Sequence, residues 1–132
     1  MIKFVSVTAA TRAIIDKESQ KLSLIDVLED SKSNNFPYLY PNLTYVVFMT
    51  KDPGDEGKGE FTVTLESGAK VIVENAVVKY DFNSSSKNKC LVNIQGVPVE
   101  SPCKINFSAK VKMDKVIEHS VEITSVTKTQ VS

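Results

Sequence analysis

The stretch CKINFSAKVKM, residues 103–113, alternates Cys103, Ile105, Phe107, Ala109 and Val111 with Lys104, Asn106, Ser108 and Lys110. Successive side chains on an extended strand point to opposite faces, so this rhythm describes a strand with one face against a core and the other in water. Met113 to Lys115 form a short polar break, after which Ile117, Val121 and Ile123 resume the same period opposite Glu118, Ser120, Glu122 and Thr124. Two such runs joined by a short link predict a β-hairpin, although the Met-Asp pair lacks the glycine usual in a two-residue turn.

Outward from this hairpin the chain reads as strand after strand. IKFVSVTA (2–9) opens it, and TRAIIDKES (11–19) fits either a short strand or one helical turn. KLSLIDVLE (21–29) is apolar at Leu22, Leu24, Ile25, Val27 and Leu28, positions that also fit a helical stripe. LTYVVFMT (43–50), β-branched and aromatic on both faces, predicts a central strand ended by the Pro- and Gly-rich DPGDEGKG. EFTVTLE (60–66) alternates cleanly, Ser67-Gly68 makes a tight turn, and AKVIVENAVVKYDF supplies one bent strand or two short ones. NSSSKNK is a polar loop, and CLVNIQGV (90–97) leads toward the final hairpin. Eight or nine strands with turn-punctuated spacing predict an all-β protein, a single two-layer antiparallel β-sandwich over residues 1–132.

Composition narrows the function classes. Sixteen basic and sixteen acidic residues give a formal net charge of zero, hence no global field to gather nucleic acid or an anionic membrane. No apolar run approaches the roughly 18 residues of a membrane span, and the N-terminal stretch has no signal-peptide core, so a soluble cytoplasmic protein is expected. Cys90 and Cys103 lie outside any Cys-x-x-Cys arrangement, and nothing supplies the four ligands of a structural zinc, so neither a metal nor a cofactor is expected. Strand parity gives both cysteines apolar neighbours, and they could meet across neighbouring strands; two buried thiols are preferred to a disulfide. Asn42, Asn83 and Asn106 head glycosylation-type tripeptides, which matter only in a secreted eukaryotic protein.

Candidate functional residues are few. His119, the only histidine, shares strand parity with Ile117 and Val121, and reads as a core imidazole before a general base. Asp52, Asp55 and Glu56 crowd one turn, where calcium is the alternative to simple solvation, but Lys51 and Lys58 bracket them. Lys104, Lys110, Lys112 and Lys115 form a cationic stripe that Glu118 and Glu122 can face across the hairpin, as on a wet sheet face. The most suggestive surface is NNFPYLYPN (34–42), where two prolines stiffen a segment carrying Phe36, Tyr38, Leu39 and Tyr40. Such residues offer large contact area at low rotamer cost. The reading preferred to a binding surface is that Phe36 and Leu39 plug one end of the sandwich while the tyrosines keep their hydroxyls wet.

Lys21, Leu22 and Leu24, then Phe36, Pro37 and Pro41, then Asn93 and Gly96, and finally Pro102 and Phe107 follow a recurring pattern. The chain thereby resembles a bacterial family of small β-sandwich proteins with a GKLNILGIFD-like segment and no established activity. It departs from that pattern at Gln20 and Asp26, where glycines are usual, and at Cys103, where the glycine after proline would lie. The resemblance implies an immunoglobulin-like sandwich and a strand over 21–29, and brings no catalytic residue. The leading expectation is a noncatalytic interaction or scaffold module, bacterial or phage, with a protein partner or a second copy of itself met through an exposed strand edge. A carbohydrate or small-ligand binder is the alternative, with tyrosine replacing the absent tryptophan. A hydrolase built around His119 is the third.

Overall fold

The computed structural model describes residues 2–33, 35–111 and 115–125, and among them there is no helix. Nine strands are formed: β1 Lys3–Ile15, β2 Leu22–Val27, β3 Ser31–Ser33, β4 Tyr38–Thr50, β5 Lys58–Ser67, β6 Lys70–Asp81, β7 Lys87–Val99, β8 Cys103–Val111 and β9 Lys115–Ser125. They make two sheets, one ordered β2-β1-β4-β7 and the other β3-β9-β8-β5-β6. All pairs are antiparallel except β3 with β9, which run parallel over three residues. The chain is therefore an all-β sandwich, as the alternating pattern predicts.

The sidedness read from residues 103–111 holds. Ile105, Phe107 and Ala109 are fully buried while Lys104 and Lys110 are exposed. The second limb pairs in the expected antiparallel register, placing Glu122 opposite Lys104 and Ser120 opposite Asn106, whose side chains hydrogen-bond. Glu118 lies opposite Ser108, and Lys110 faces Val116 rather than a glutamate. The link at 112–114, with Lys112 of the cationic stripe, and the side chain of Lys115 lie outside the described residues. Between the sheets, Phe107 stacks on Tyr45 with ring centroids 4.2 Å apart, joining β8 to β4 at the centre of the core. A second aromatic cluster, Phe4, Phe61, Tyr80 and Phe82, lies away from this pair.

The two ambiguous segments, 11–19 and 21–29, resolve into one β-hairpin, the end of β1 with β2, closed by a turn at Asp16–Gln20. β1 pairs with β4 from Lys3 to Ala10 and with β2 from Ala10 onward. A hairpin continuing straight past Ala10 would extend some 15–20 Å at about 3.3 Å per residue, away from Lys89, whose register partner Phe48 lies toward the other end of β4. Yet the Lys89 ammonium donates to the carbonyl of Gln20 at 2.9 Å. The hairpin must therefore fold back across the outer face of the four-stranded sheet. Burial agrees: Ala10, Thr44 and Val46 point away from the sandwich core but are almost wholly covered. On the hairpin, Ala13, Ile15, Leu22 and Leu24 are half-buried, while Arg12, Ile14, Ser23 and Ile25 are exposed. This fold-back explains why 43–50 is apolar on both faces.

Gln20 and Asp26, which stand where the resembled pattern has glycine, both adopt the left-handed conformation, with φ of 60° and 54°. That backbone region is nearly free of cost for glycine and unfavourable for other L-residues. The Asp16 carboxylate steadies the first of these turns by accepting from the backbone N–H of Glu18 and the hydroxyl of Ser19, contacts that hold its pKa below the usual range. Cys90 and Cys103 are two free thiols, as preferred from the sequence, Cys90 buried and Cys103 half-buried, and the possibility that they meet across neighbouring strands is not realised. β7 and β8 belong to different sheets, so the connection between them carries the chain across the sandwich. Cys90 Sγ lies 3.9 Å from the sulfur of Met49, and Cys103 Sγ 3.9 Å from the Ser67 hydroxyl; both thiols are free.

Candidate functional site

Residues 36–42 enter β4 through a cis Phe36–Pro37 peptide. Tyr38 and Tyr40 point toward the sandwich interior and pack on the core, as does Phe36. The three rings form a ladder, with centroids 5.6 Å apart for Phe36–Tyr38 and 5.4 Å for Tyr38–Tyr40. Desolvation pushes the Tyr38 hydroxyl well above its ordinary pKa, with the adjacent Tyr40 hydroxyl adding to the effect. The segment thus divides by strand parity. Three rings close the end of the sandwich, and Leu39, 56% exposed, projects outward. The expectation that Phe36 and Leu39 together form the plug is corrected for Leu39, because its neighbours Tyr38 and Tyr40 take the inward positions.

Two prolines fix how this segment offers its backbone. Tyr40 pairs with Val97 and Asn42 with Gln95, so Pro41 lies across from Gly96, while Leu39 lies across from Pro98. In an antiparallel ladder, residues alternate between exchanging both hydrogen bonds and exchanging none. Neither Pro41 nor Pro98 has an N–H to exchange. Leu39 and Pro41 therefore direct their backbone groups away from β7. The Pro98 carbonyl accepts from the Ser67 hydroxyl at 2.5 Å, which places it on the far side from β4, as this phase demands. At Gly96, φ is 73°. There both strands shift the inward-facing set by one residue, from Tyr38 and Tyr40 to Leu43 and Tyr45 on β4, and from Val99 and Val97 to Ile94 and Val92 on β7. Pro41 and Gly96 are thus partners in one kink.

The flank of β4 away from β7 is occupied only in part. β7 accompanies β4 from Tyr38 to Thr50, whereas β1 accompanies it only from Thr44 to Thr50, because the hairpin turns away at Ala10. Tyr38 to Asn42 consequently form an open strand edge. On it the Leu39 N–H, the Leu39 C=O and the Pro41 C=O meet no hydrogen-bonding partner among the described residues. The far sheet lies beneath. β9 runs under β1, Cys103 of β8 neighbours Tyr38, and Cys103 is in register with Ile123, beside Ser31 of β3. The open edge is thus a recess one strand wide, floored by β9 and β3.

The other candidates are placed elsewhere. His119 faces inward, edge-on to Tyr45 with centroids 5.7 Å apart and in register with Phe107. Its Nδ1 and the Tyr45 hydroxyl are buried with no hydrogen-bond partner among the described residues. Burial lowers the histidine pKa and so favours the neutral ring. A general base of a triad has a carboxylate on its second nitrogen; here the nearby Asp30 carboxylate favours the charged ring only weakly and accepts from the Glu122 N–H, and Nδ1 has no hydrogen-bond partner among the described residues. Asp52 and Asp55 close their own turn, the Asp55 carboxylate accepting from the Asp52 N–H at 2.9 Å. Among the described residues no three His, Cys, Asp or Glu side chains cluster as metal ligands. A shallow groove is lined by Lys58, Gly59, Glu60, Lys79, Tyr80 and Asp81, where the Tyr80 ring crosses Gly59 and the charges cancel in pairs.

A family model matches residues 6–124 and carries the description of a family of unknown function, DUF6941. The chain belongs to that family. The span matched by the DUF6941 model takes in the folded-back hairpin, the Tyr38–Asn42 edge and the kink at Pro41 and Gly96. No curated protein matches the sequence. Sequence reasoning singled out residues 36–40 but not the open edge on which they lie. The one available signal was the pair Pro41 and Pro98, each an N–H missing from a long strand.

Proposed function

We propose that the protein is a noncatalytic interaction module that binds another protein at the end of the sandwich bearing Leu39. The observation that carries this reading is the pairing of a large exposed apolar side chain with an unpaired strand edge at the same place. The connectivity supports an immunoglobulin-like reading of the sandwich: β4 pairs with β7 as B with E, and β8 stands between β5 and β9 as F between C and G. Two free thiols in different sheets agree with a reducing compartment such as the bacterial cytoplasm. Carbohydrate binding is less well supported, since stacking on a sugar needs a free ring face and Tyr38 and Tyr40 turn inward onto one another. The hydrolase reading is weaker still, given the aromatic surroundings of His119.

The test is photo-crosslinking in the native host from a benzoyl-phenylalanine placed at position 39 or, as a control, at exposed position 77. A discrete adduct from 39, absent from 77, supports the module. Equal labelling from both positions, or none from 39, contradicts it.

A further inference from the structure

Resting on that reading, we propose that the partner enters as a single extended polypeptide segment, which adds to the four-stranded sheet as a strand antiparallel to β4 along Tyr38–Asn42. The backbone inventory calls for such a ligand. One N–H and two C=O groups in line along an edge are matched by another extended backbone and by little else. An antiparallel segment satisfies all three, since the residue opposite Leu39 exchanges both hydrogen bonds and the residue opposite Pro41 donates one. Pro41 accepts and cannot donate, so the carbonyl opposite it must find water.

The floor of the recess decides between occupants. β9 and β3 already fill the layer beneath the vacant strand position. A second copy pairing edge to edge would bring its own second sheet into that layer, whereas a lone strand would not. Side-chain requirements follow from parity. The incoming residue opposite Tyr40 points inward beside a half-buried ring and is apolar. The residue opposite Leu39 points outward against an exposed leucine and is also apolar or long-chained. Only about five residues are read, so the affinity of an isolated segment is modest and side chains at alternate positions supply the selectivity.

The probe is a phage-displayed heptapeptide library selected on the intact protein, followed by NMR titration of the best synthetic peptide. The expected result is a saturable shift confined to residues 38–42 and their neighbours on β7, with Leu39 amide exchange slowed at least tenfold. Backbone N-methylation of the peptide residue opposite Leu39 should weaken binding at least tenfold. Leu39→Pro, which removes the N–H, should abolish binding, and Leu39→Val should retain it; unchanged β7 amide shifts in both variants establish that each is folded. Failure to select any peptide, or binding that leaves Leu39 exchange unaltered, overturns strand addition without touching the crosslinking result. Protection of Leu39 that grows with protein concentration alone overturns it in favour of a second copy. Protection in the dilute free protein shows the edge to be closed and removes both proposals.

Discussion

Replacing Tyr38 by alanine and, separately, Leu39 by alanine should have opposite consequences, although the two residues are adjacent. Truncating a fully buried aromatic ring to alanine costs about 3–5 kcal/mol. Tyr38 is half-buried, which reduces that to about 2 kcal/mol, and its ring contacts with Phe36 and Tyr40 add roughly 0.5–1 kcal/mol. For a chain of this length about 4 °C of Tm accompanies each kcal/mol, so Tyr38→Ala should melt roughly 10 °C lower. Leu39 is more than half exposed and touches no core, so Leu39→Ala should change stability by at most about 0.5 kcal/mol. Differential scanning calorimetry and urea melts of the two variants decide. Equal effects, or a neutral Tyr38→Ala beside a costly Leu39→Ala, would refute the inward placement of the aromatic ladder and with it the outward presentation of Leu39.

Three further outcomes follow from the same structure. Val46→Ala, beneath the folded-back hairpin, should cost about 1.5–2.5 kcal/mol in urea melts, against no more than about 0.5 kcal/mol for exposed Val77→Ala; equal costs would mean that the hairpin stands clear of the sheet. His119 is held neutral by burial, with its pKa below the ordinary 6.5, so the stability this contributes is full above that value and is lost as pH falls below it. A His119→Phe variant should melt at nearly the same temperature at pH 7 and pH 5.5, where the parent loses stability; an unchanged pH slope would count against the buried neutral ring. Burial pushes the Cys90 thiol up to about 11, so iodoacetamide at pH 8 should label half-exposed Cys103 and reach Cys90 only after unfolding, and rapid labelling of native Cys90 would contradict its packing against Met49.

Strand identity was legible wherever one face is wet. The rhythm of 103–111 and 117–123 carried directly into β8 and β9, because a two-residue period has no other common physical origin. β6 followed the looser expectation of one bent strand, with its bend at Asn75, which is left-handed and donates its N–H to the Thr64 hydroxyl. Residues 21–29 were ambiguous because the hairpin buries one face against a sheet exterior rather than the main core. Its outer face keeps Ile25 and Val27 in water and blurs the alternation. The fold-back itself was not legible, since it depends on a lysine reaching a carbonyl far away in the chain. The preference for two free thiols agrees with the structure, but that Cys90 and Cys103 lie in different sheets was not legible: strand parity gives the face of each residue and not the sheet to which its strand belongs. At 34–42 the aromatic content singled out the segment that carries the open strand edge. Which residue faces water emerged only from the register that sets Leu39 against Pro98 and Pro41 against Gly96.

The open edge of β4 is tested most directly by residue-resolved amide exchange of the dilute, unliganded protein. The backbone phase set by Pro41 and Pro98 predicts that Leu39 exchanges close to the rate of an unstructured amide, while Tyr45 and Val47, flanked by β1 and β7, are protected to near the global unfolding limit. Strong protection of Leu39, comparable to that of Tyr45, would contradict the account.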